Sequence, residues 1–596
     1  MQLKLSTSLA ACSAVLPLLA LPTVTQAQTV ANPSNAPDCM NNTAFFNPAL
    51  PPSINLPPGF TASVFAAGLN APTSLAFLGN ANNFQVFVLE SGHGLPSVCN
   101  DEIAWPGGEF AINNPFTPDI LVFNQNPLGK PTSSGGGFQP SGPAIDVAFV
   151  NGFAGGRLFA TDSNQSTHQH NGQNNSSRIV TVDPMTGAVT PFITNLPTGD
   201  HPTEQLAFRG DGWIYWSQGS TTNSGVVGLD NGGGQNQSSI PCQDITLSQN
   251  VFSSGNGVAT SGYSPFGVQQ PGATIKAFFN SFTGQVRPGV CDGAILRAQL
   301  SNPSNIQAFS WGYRNPYAIR FPPAGHSLFG GIFIGMDGAD ERGARPSNNA
   351  PEEIHLGRQN PDGSPDYHGW PDRYGGLSTS QRVYDPQGSS SDDVCPAPFD
   401  PATCLANLQA AGDIPIRDVL AGPPQQITGP LAIEAPDASF TGIDFVPDAF
   451  VTGPVLPGAA LYVFEGDFGY SPPNSEDPTR EVGHEVKLVN FNQVPDSPLA
   501  LRFQNFARNS TNDQAFVTNI NGFNRPTNIR FGPDGCAYVV DYGAVRDLGT
   551  DSHFVGAANG VNVQIPRTGD LEDLPNVGPS AQSLRGVHGR PIDLAR

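Results

Sequence analysis

The chain is short of positive charge. Its 596 residues hold 27 Lys and Arg against 49 Asp and Glu, a formal net charge of −22. This balance excludes nucleic acid and anionic membrane surfaces as natural partners. Charged residues of both signs make up only 13%, and long runs of Ala, Leu, Glu and Lys are missing, which speaks against a helical bundle. No two of the eight cysteines are spaced CxxC, so zinc-ribbon and dithiol redox readings fall away. The one markedly apolar run, Leu9 to Leu21, is too short and too interrupted by Pro17 for a membrane span.

What is abundant is Gly (67) and Pro (58), the composition of many short strands joined by turns. Residues 1–27 read as an export signal, with Lys4 ahead of the apolar run and Thr25-Gln26-Ala27 before the cleavage point, so the expectation is a secreted protein. Residues 28–54 form an N-terminal extension. In an exported chain the cysteines should mostly pair: Cys395 with Cys404 inside an insertion, with Cys39–Cys99 and Cys242–Cys291 as further pairings. Cys536, within a strand-like run, is expected to be the unpaired thiol.

From Pro58 onward a unit recurs: a strand started by Pro or a polar residue, a turn, and a strand ending on a polar residue. Leu75-Ala76-Phe77 with Val86 to Glu90 is one copy, and others lie near 144–162, 204–218, 315–335, 440–465 and 526–541. Two copies share nearly the same turn, Phe208-Arg209-Gly210-Asp211-Gly212 and Phe531-Gly532-Pro533-Asp534-Gly535, and Asp-Gly between alternating runs is a strong hairpin signal. About six such copies predict an all-β, six-bladed β-propeller over residues 55–560. Gly- and Ser-rich insertions at about 222–277 and 378–422 read as long surface loops, and 561–596 as a C-terminal tail.

In a propeller the loops entering the inner strands line a central funnel. Three polar groups precede such strands: Asp200-His201-Pro202-Thr203-Glu204, Arg314-Asn315 before Pro316, and Asn524-Arg525 before Pro526. Arg brings a planar, permanent charge and Asn both a donor and an acceptor, which suits a flat, oxygen-rich ligand. Proline fixes its own φ and lacks an N–H, so Pro316 should open its strand, leaving Arg314 and Asn315 in the connection.

These motifs resemble the glucose/sorbosone dehydrogenase family, soluble six-bladed propellers that use pyrroloquinoline quinone (PQQ) with calcium. The resemblance rests on Gly199-Asp200-His201, Leu206-Ala207-Phe208 and Asp211-Gly212-Trp213-Ile214-Tyr215. It continues through Trp311-Gly312-Tyr313-Arg314-Asn315-Pro316, Pro351-Glu352-Glu353-Ile354 and Tyr367-His368-Gly369-Trp370-Pro371. It implies His201 as catalytic base with Asp200 beside it, and Arg314 and Asn315 at the quinone. Asp337, Gly338 and Ala339 fall where the family holds calcium. The substrate implied is a sugar or related alcohol, oxidised with an external electron acceptor. The sequence departs from the family at Leu461 to Asp467, where a basic cluster is replaced by Glu465 and Asp467; Arg480 and Arg525, on nearby loops, are the candidate substitutes. Two other readings stand beside this one: a metal-dependent, lactonase-like propeller hydrolase, and a non-catalytic carbohydrate- or protein-binding propeller.

Overall fold

The computed structural model describes residues 51–69, 72–90, 119–123, 144–162, 177–183, 188–228, 238–254, 257–339, 344–345, 347–348, 350–374, 377–378, 382–383, 417–435, 438–466, 482–491, 501–510, 522–523, 525–542, 545–547, 554–556, 560–565 and 590–591. The export signal, Cys39, Cys99, Cys395, Cys404 and most of 378–422 lie outside them. Among the described residues the regular structure is β-sheet, apart from two three-residue 3-10 turns.

Among the described residues, six sheets of three or more strands follow one another along the chain, antiparallel throughout except where Asn302–Trp311 pairs in parallel with Asp366–Tyr367. Their first strands are Pro72–Asn80, Val147–Phe149, Thr203–Ala207, Asn315–Arg320, Phe440–Phe445 and Pro526–Phe531. Five of the sheets have four or five strands, and the one begun by Pro72–Asn80 has three among the described residues. The last sheet is closed by the start of the chain: Ser63–Leu69 pairs with Gly560–Ile565, which pairs with Ala537–Asp541. Joining the two ends in one sheet removes two free edges and ties the ring shut.

Each sheet is bonded to the next at or beside its first strand. Thr73 Oγ1 donates to Ala144 O at 2.8 Å, and the Leu206 amide donates to Asp146 Oδ2 at 2.8 Å. The Ile319 amide donates to Gln205 Oε1 at 3.3 Å, and the Phe440 amide to Asp337 Oδ1 at 2.6 Å. Thr441 Oγ1 reaches Pro526 O at 3.1 Å, and Asn528 Nδ2 returns to Thr73 O at 3.3 Å. The circuit is complete, and this is an all-β propeller.

Because each inner strand is covered on both faces, Thr203–Ala207, Phe440–Phe445 and Pro526–Phe531 are buried along their whole length instead of alternating. Apolar clusters fill the gaps between neighbouring sheets; Ala207, Tyr215, Ile319, Ile334 and Met336 form one of them. The sheets approach so closely that a Cβ on Gly335 would stand 1.5 Å from the Phe440 ring, so only glycine fits there. The two matching turns are built alike: Asp211 accepts from the Trp213 amide and Tyr215 Oη, and Asp534 from the Cys536 amide and Tyr538 Oη.

Three sequence expectations change. Cys536 is disulfide-bonded, not a free thiol, and no described cysteine is free; burial in a strand does not separate a half-cystine from an apolar thiol. Cys242 and Cys291 are paired as expected. The described part of 222–277 is no surface loop: Val226, Val227, Ile240, Ile245, Phe252 and Tyr263 are buried, and short ladders such as Ile245–Thr246 with Thr274–Ile275 run through it. Its many Ser and Thr side chains satisfy buried backbone and one another, as in Thr222 Oγ1 to Ser239 Oγ at 2.9 Å, so polarity did not mean exposure. Pro316 is the second residue of its strand, one later than expected, because Asn315 already pairs with Asp337.

Candidate active site

The segment before Thr203–Ala207 is strapped down by backbone bonds. The Asp200 amide donates to Thr221 O, the His201 amide to Ser220 O at 2.9 Å, and the Gly219 amide to Pro202 O at 2.9 Å. The Ser220 amide in turn donates to Arg314 O at 2.9 Å, which joins this sheet to the next. His201 therefore stands on a rigid support at the mouth of the ring. A Cβ on Gly219 would lie 2.2 Å from His201 Cβ and 3.1 Å from Asn315 Oδ1, so the histidine can take this place only because position 219 has no side chain.

His201 Nε2 is 3.3 Å from Asp200 Oδ2, and Nδ1 is 3.8 Å from Glu204 Oε1. The imidazole keeps 21% of its surface, whereas the two carboxylates beside it are buried. Asp200 Oδ2 is shared: Arg314 Nη2 approaches it at 3.2 Å. Arg314 is buried, and its Nη1 donates to Gly338 O at 2.6 Å. Asn315 Nδ2 donates to Asp337 Oδ2 at 2.9 Å and also bonds Glu204, so a single amide holds two carboxylates together. The Gly338 amide donates to Glu352 Oε2 at 3.2 Å, and Ala339 is buried behind it.

Burial pushes Glu204 well above the usual carboxylate range, and the nearby Asp337 charge pushes the same way, against Arg314 and the Asn315 bond. Two buried oxygens here accept no hydrogen bond, Glu204 Oε2 and Asn315 Oδ1. Across the mouth, the Arg525 amide donates to Asp541 Oδ1 at 2.9 Å, and Nη1 lies 3.2 Å from His484 Nδ1 and 3.3 Å from Nε2, so the guanidinium rests against the imidazole. Glu465 is buried beside it; desolvation raises its pKa to about 8, opposed by Arg525 and assisted by Asp337 and Asp541. Tyr317 is raised by burial and then by Glu465, Glu204, Asp337 and Asp146, which places the two sides of the mouth around one phenol.

The fold thus brings together Asp200, His201, Arg314, Asn315, Asp337 and Gly338, with Arg525 on the opposite side facing Glu465. Among the described residues no three His, Cys, Asp or Glu side chains converge on a metal position. Sequence reasoning passed over His484 as the partner of Arg525 and over the requirement for glycine at 219. A signal for the acidic crown was present: five second strands end on or beside an acid, at Glu90, Asp162, Asp337, Glu465 and Asp541, with Gln218 at the sixth.

No family model matches the chain, and no curated protein matches it. Among solved structures it is similar to an iodide structure of a Trichoderma reesei carbohydrate-active enzyme of family AA12, 17% identical at a TM-score of 0.45 over 86% of this chain and 98% of that one. A crystal structure of glucose dehydrogenase is 12% identical at 0.43 over 85% and 99%. The holo PQQ domain of pyranose dehydrogenase from Coprinopsis cinerea is 14% identical at 0.41 over 86% and 97%. The motifs from Gly199 to Pro371 resemble the same class of protein. TM-scores below 0.5 establish no activity, and the chemistry rests on the geometry of the mouth.

Proposed function

We propose that this chain is a secreted six-bladed sugar oxidoreductase that uses PQQ and calcium, with His201 as its base and an external electron acceptor. The observation that carries the reading is His201: a partly exposed imidazole in a ring of buried charges, 3.3 Å from a carboxylate that Arg314 also engages. The three-stranded sheet supports the sixth blade, because its first strand fills the one gap in the inner ring, between Ala144 and Asn528.

The residues present fit the two groups. Asp337, the Gly338 carbonyl and the unpartnered Glu204 Oε2 and Asn315 Oδ1 are hard oxygen donors of the kind calcium takes. Arg314 and Asn315 suit the quinone oxygens, and Arg525 a carboxylate of the cofactor. Glu465, with a pKa of about 8, is mostly protonated at pH 7 and opposes that carboxylate less than a full charge would. When bound, PQQ with calcium supplies an acceptor for the hydride leaving the sugar carbon. The chain's own part is proton chemistry and placement. His201 Nε2 lies 3.3 Å from Asp200 Oδ2 without hydrogen-bond geometry, and we assign the His201 imidazole as the group that takes the hydroxyl proton. Asp200 stands beside the ring at ion-pair distance, and Arg314 favours negative charge developing on oxygen.

The test is a titration of metal-stripped protein with PQQ plus calcium, followed by dye reduction with a panel of aldoses. Stoichiometric binding with sugar-dependent reduction, lost in His201→Ala, is the expected result; no binding at concentrations on the order of 10 µM sinks it. A lactonase-like hydrolase is favoured by one observation, the pair of open oxygens at Glu204 and Asn315, which a cation held without any quinone would satisfy. Metal-dependent ester cleavage in the absence of PQQ would select that reading.

A further inference from the structure

Asp292 and Gly293 stand where the two segments that carry the site come together. They lead into the strand Ala294–Gln299, whose first residue pairs with Gln218 on one side and with Trp311 on the other. Past Gln218 the chain runs into Gly219, Ser220 and Thr221, the support of Asp200 and His201; past Trp311 it runs into Gly312, Tyr313 and Arg314.

Both continuations are bonded back to this dipeptide. Asp292 is buried, and its Oδ2 accepts from the Thr221 amide at 3.0 Å and from Thr221 Oγ1 at 2.6 Å, while Oδ1 accepts the Ile240 amide at 3.0 Å. The Gly293 carbonyl accepts the Gly312 and Tyr313 amides, each at 3.0 Å. Gly293 has a φ of 55°, and a Cβ there would stand 2.2 Å from the Tyr313 carbonyl oxygen, so this approach requires glycine. Cys291, just before Asp292, is tied to Cys242 by a disulfide.

From Thr221 the path to the site is short. Thr221 O accepts the Asp200 amide at 3.2 Å, and its neighbour Ser220 accepts the His201 amide and donates to Arg314 O. We propose that Asp292 is a positioning residue for the oxidation: by holding Thr221 it fixes Asp200 and His201 against Arg314. It acts through Thr221 and not by touching the reacting atoms, and the assignment rests on the reading of His201 as base. The side chain suits the task. Burial pushes the Asp292 pKa up to about 7, and the bonds from Thr221, Ile240 and Ser239 oppose that rise, so neutral donors hold it on both oxygens. An asparagine has one oxygen for these two acceptor places, so its NH2 group meets a backbone N–H whichever way it is turned.

Asp292→Asn in the full chain tests this. With the aldose that the wild type oxidises fastest, kcat should fall roughly 10- to 100-fold while KM stays within about twofold, the pattern of a displaced base and not of lost substrate binding. Because this variant can fail to fold, Thr221→Val removes only the hydroxyl donor; kcat should fall by about tenfold, and Thr221→Ser, which keeps the hydroxyl, should restore it. Amide hydrogen exchange, which needs no substrate, should quicken by about tenfold at Asp200 and His201 in Asp292→Asn and in Thr221→Val. Exchange unchanged in the folded variants overturns the proposal, and so does a kcat that is unchanged, that falls only with the folded fraction, or that Thr221→Ser does not restore. A wild type that oxidises no aldose would sink the dehydrogenase reading instead, and the exchange rates alone would then decide whether Asp292 holds the segment.

Discussion

Glu204 and Gln205 are neighbours on one inner strand, both buried, and their side chains are finished differently. Gln205 Nε2 reaches Thr441 O at 2.7 Å, and its Oε1 accepts the Ile319 amide. Around it, Asp146 accepts from Ser74 Oγ and the Leu206 amide and lies 3.6 Å from Arg530, while Asp444 accepts from Arg320 Nε at 2.8 Å and the Phe531 amide at 2.8 Å. In this inner layer the carboxylates are saturated by protein. At the mouth, Glu204 Oε2 and Asn315 Oδ1 accept nothing. An unsatisfied buried oxygen costs stability that a ligand can restore, so the saturated layer reads as scaffold and the open one as site.

Breaking the scaffold should cost most. Asp146→Ala leaves Arg530 and two donors buried without their acceptor, and a loss of about 3–5 kcal/mol is expected in urea unfolding. At the mouth the balance reverses: His201→Ala should lower kcat by roughly 10²–10⁴. Its unfolding free energy should stay within about 1 kcal/mol of wild type, because the side chain is partly exposed. A variant that loses both equally would erase the distinction between the two layers.

Gly219→Ala sharpens the comparison from the backbone side. Its new methyl must displace His201, and overpacking of about 1–3 kcal/mol is expected, with kcat falling more than thermal stability. The subtlest effect is a slope. The fold favours protonated Glu465, with a pKa of about 8 against 4.5 for an ordinary glutamate, so stability is full below about pH 4.5 and is lost as pH rises toward 8. Glu465→Gln should match wild type at pH 4.5 and exceed it increasingly up to pH 8 in denaturant midpoints.

Much of this was legible before the structure. The Asp-Gly turns at 211 and 534 announced their hairpins because Asp accepts the amide two residues on and glycine takes positive φ, here 84° at Gly212 and 78° at Gly535. Arg314 and Asn315 could be placed at a strand mouth because a proline follows them. His484 could not be paired with Arg525, nor the buried insertion told from a loop, because both depend on contacts between segments far apart in sequence.

Composition and local pattern alone determined that this chain is all-β, repeated and poor in positive charge, because strand alternation, turn residues and net charge are properties of short stretches. Which polar groups would be saturated and which left open was decided only when the inner strands closed into a ring. The number of donors an aspartate or glutamate finds for its oxygens depends on what the neighbouring sheet presents to it. Asp146 met a serine and a backbone amide there, and Glu204 met another carboxylate.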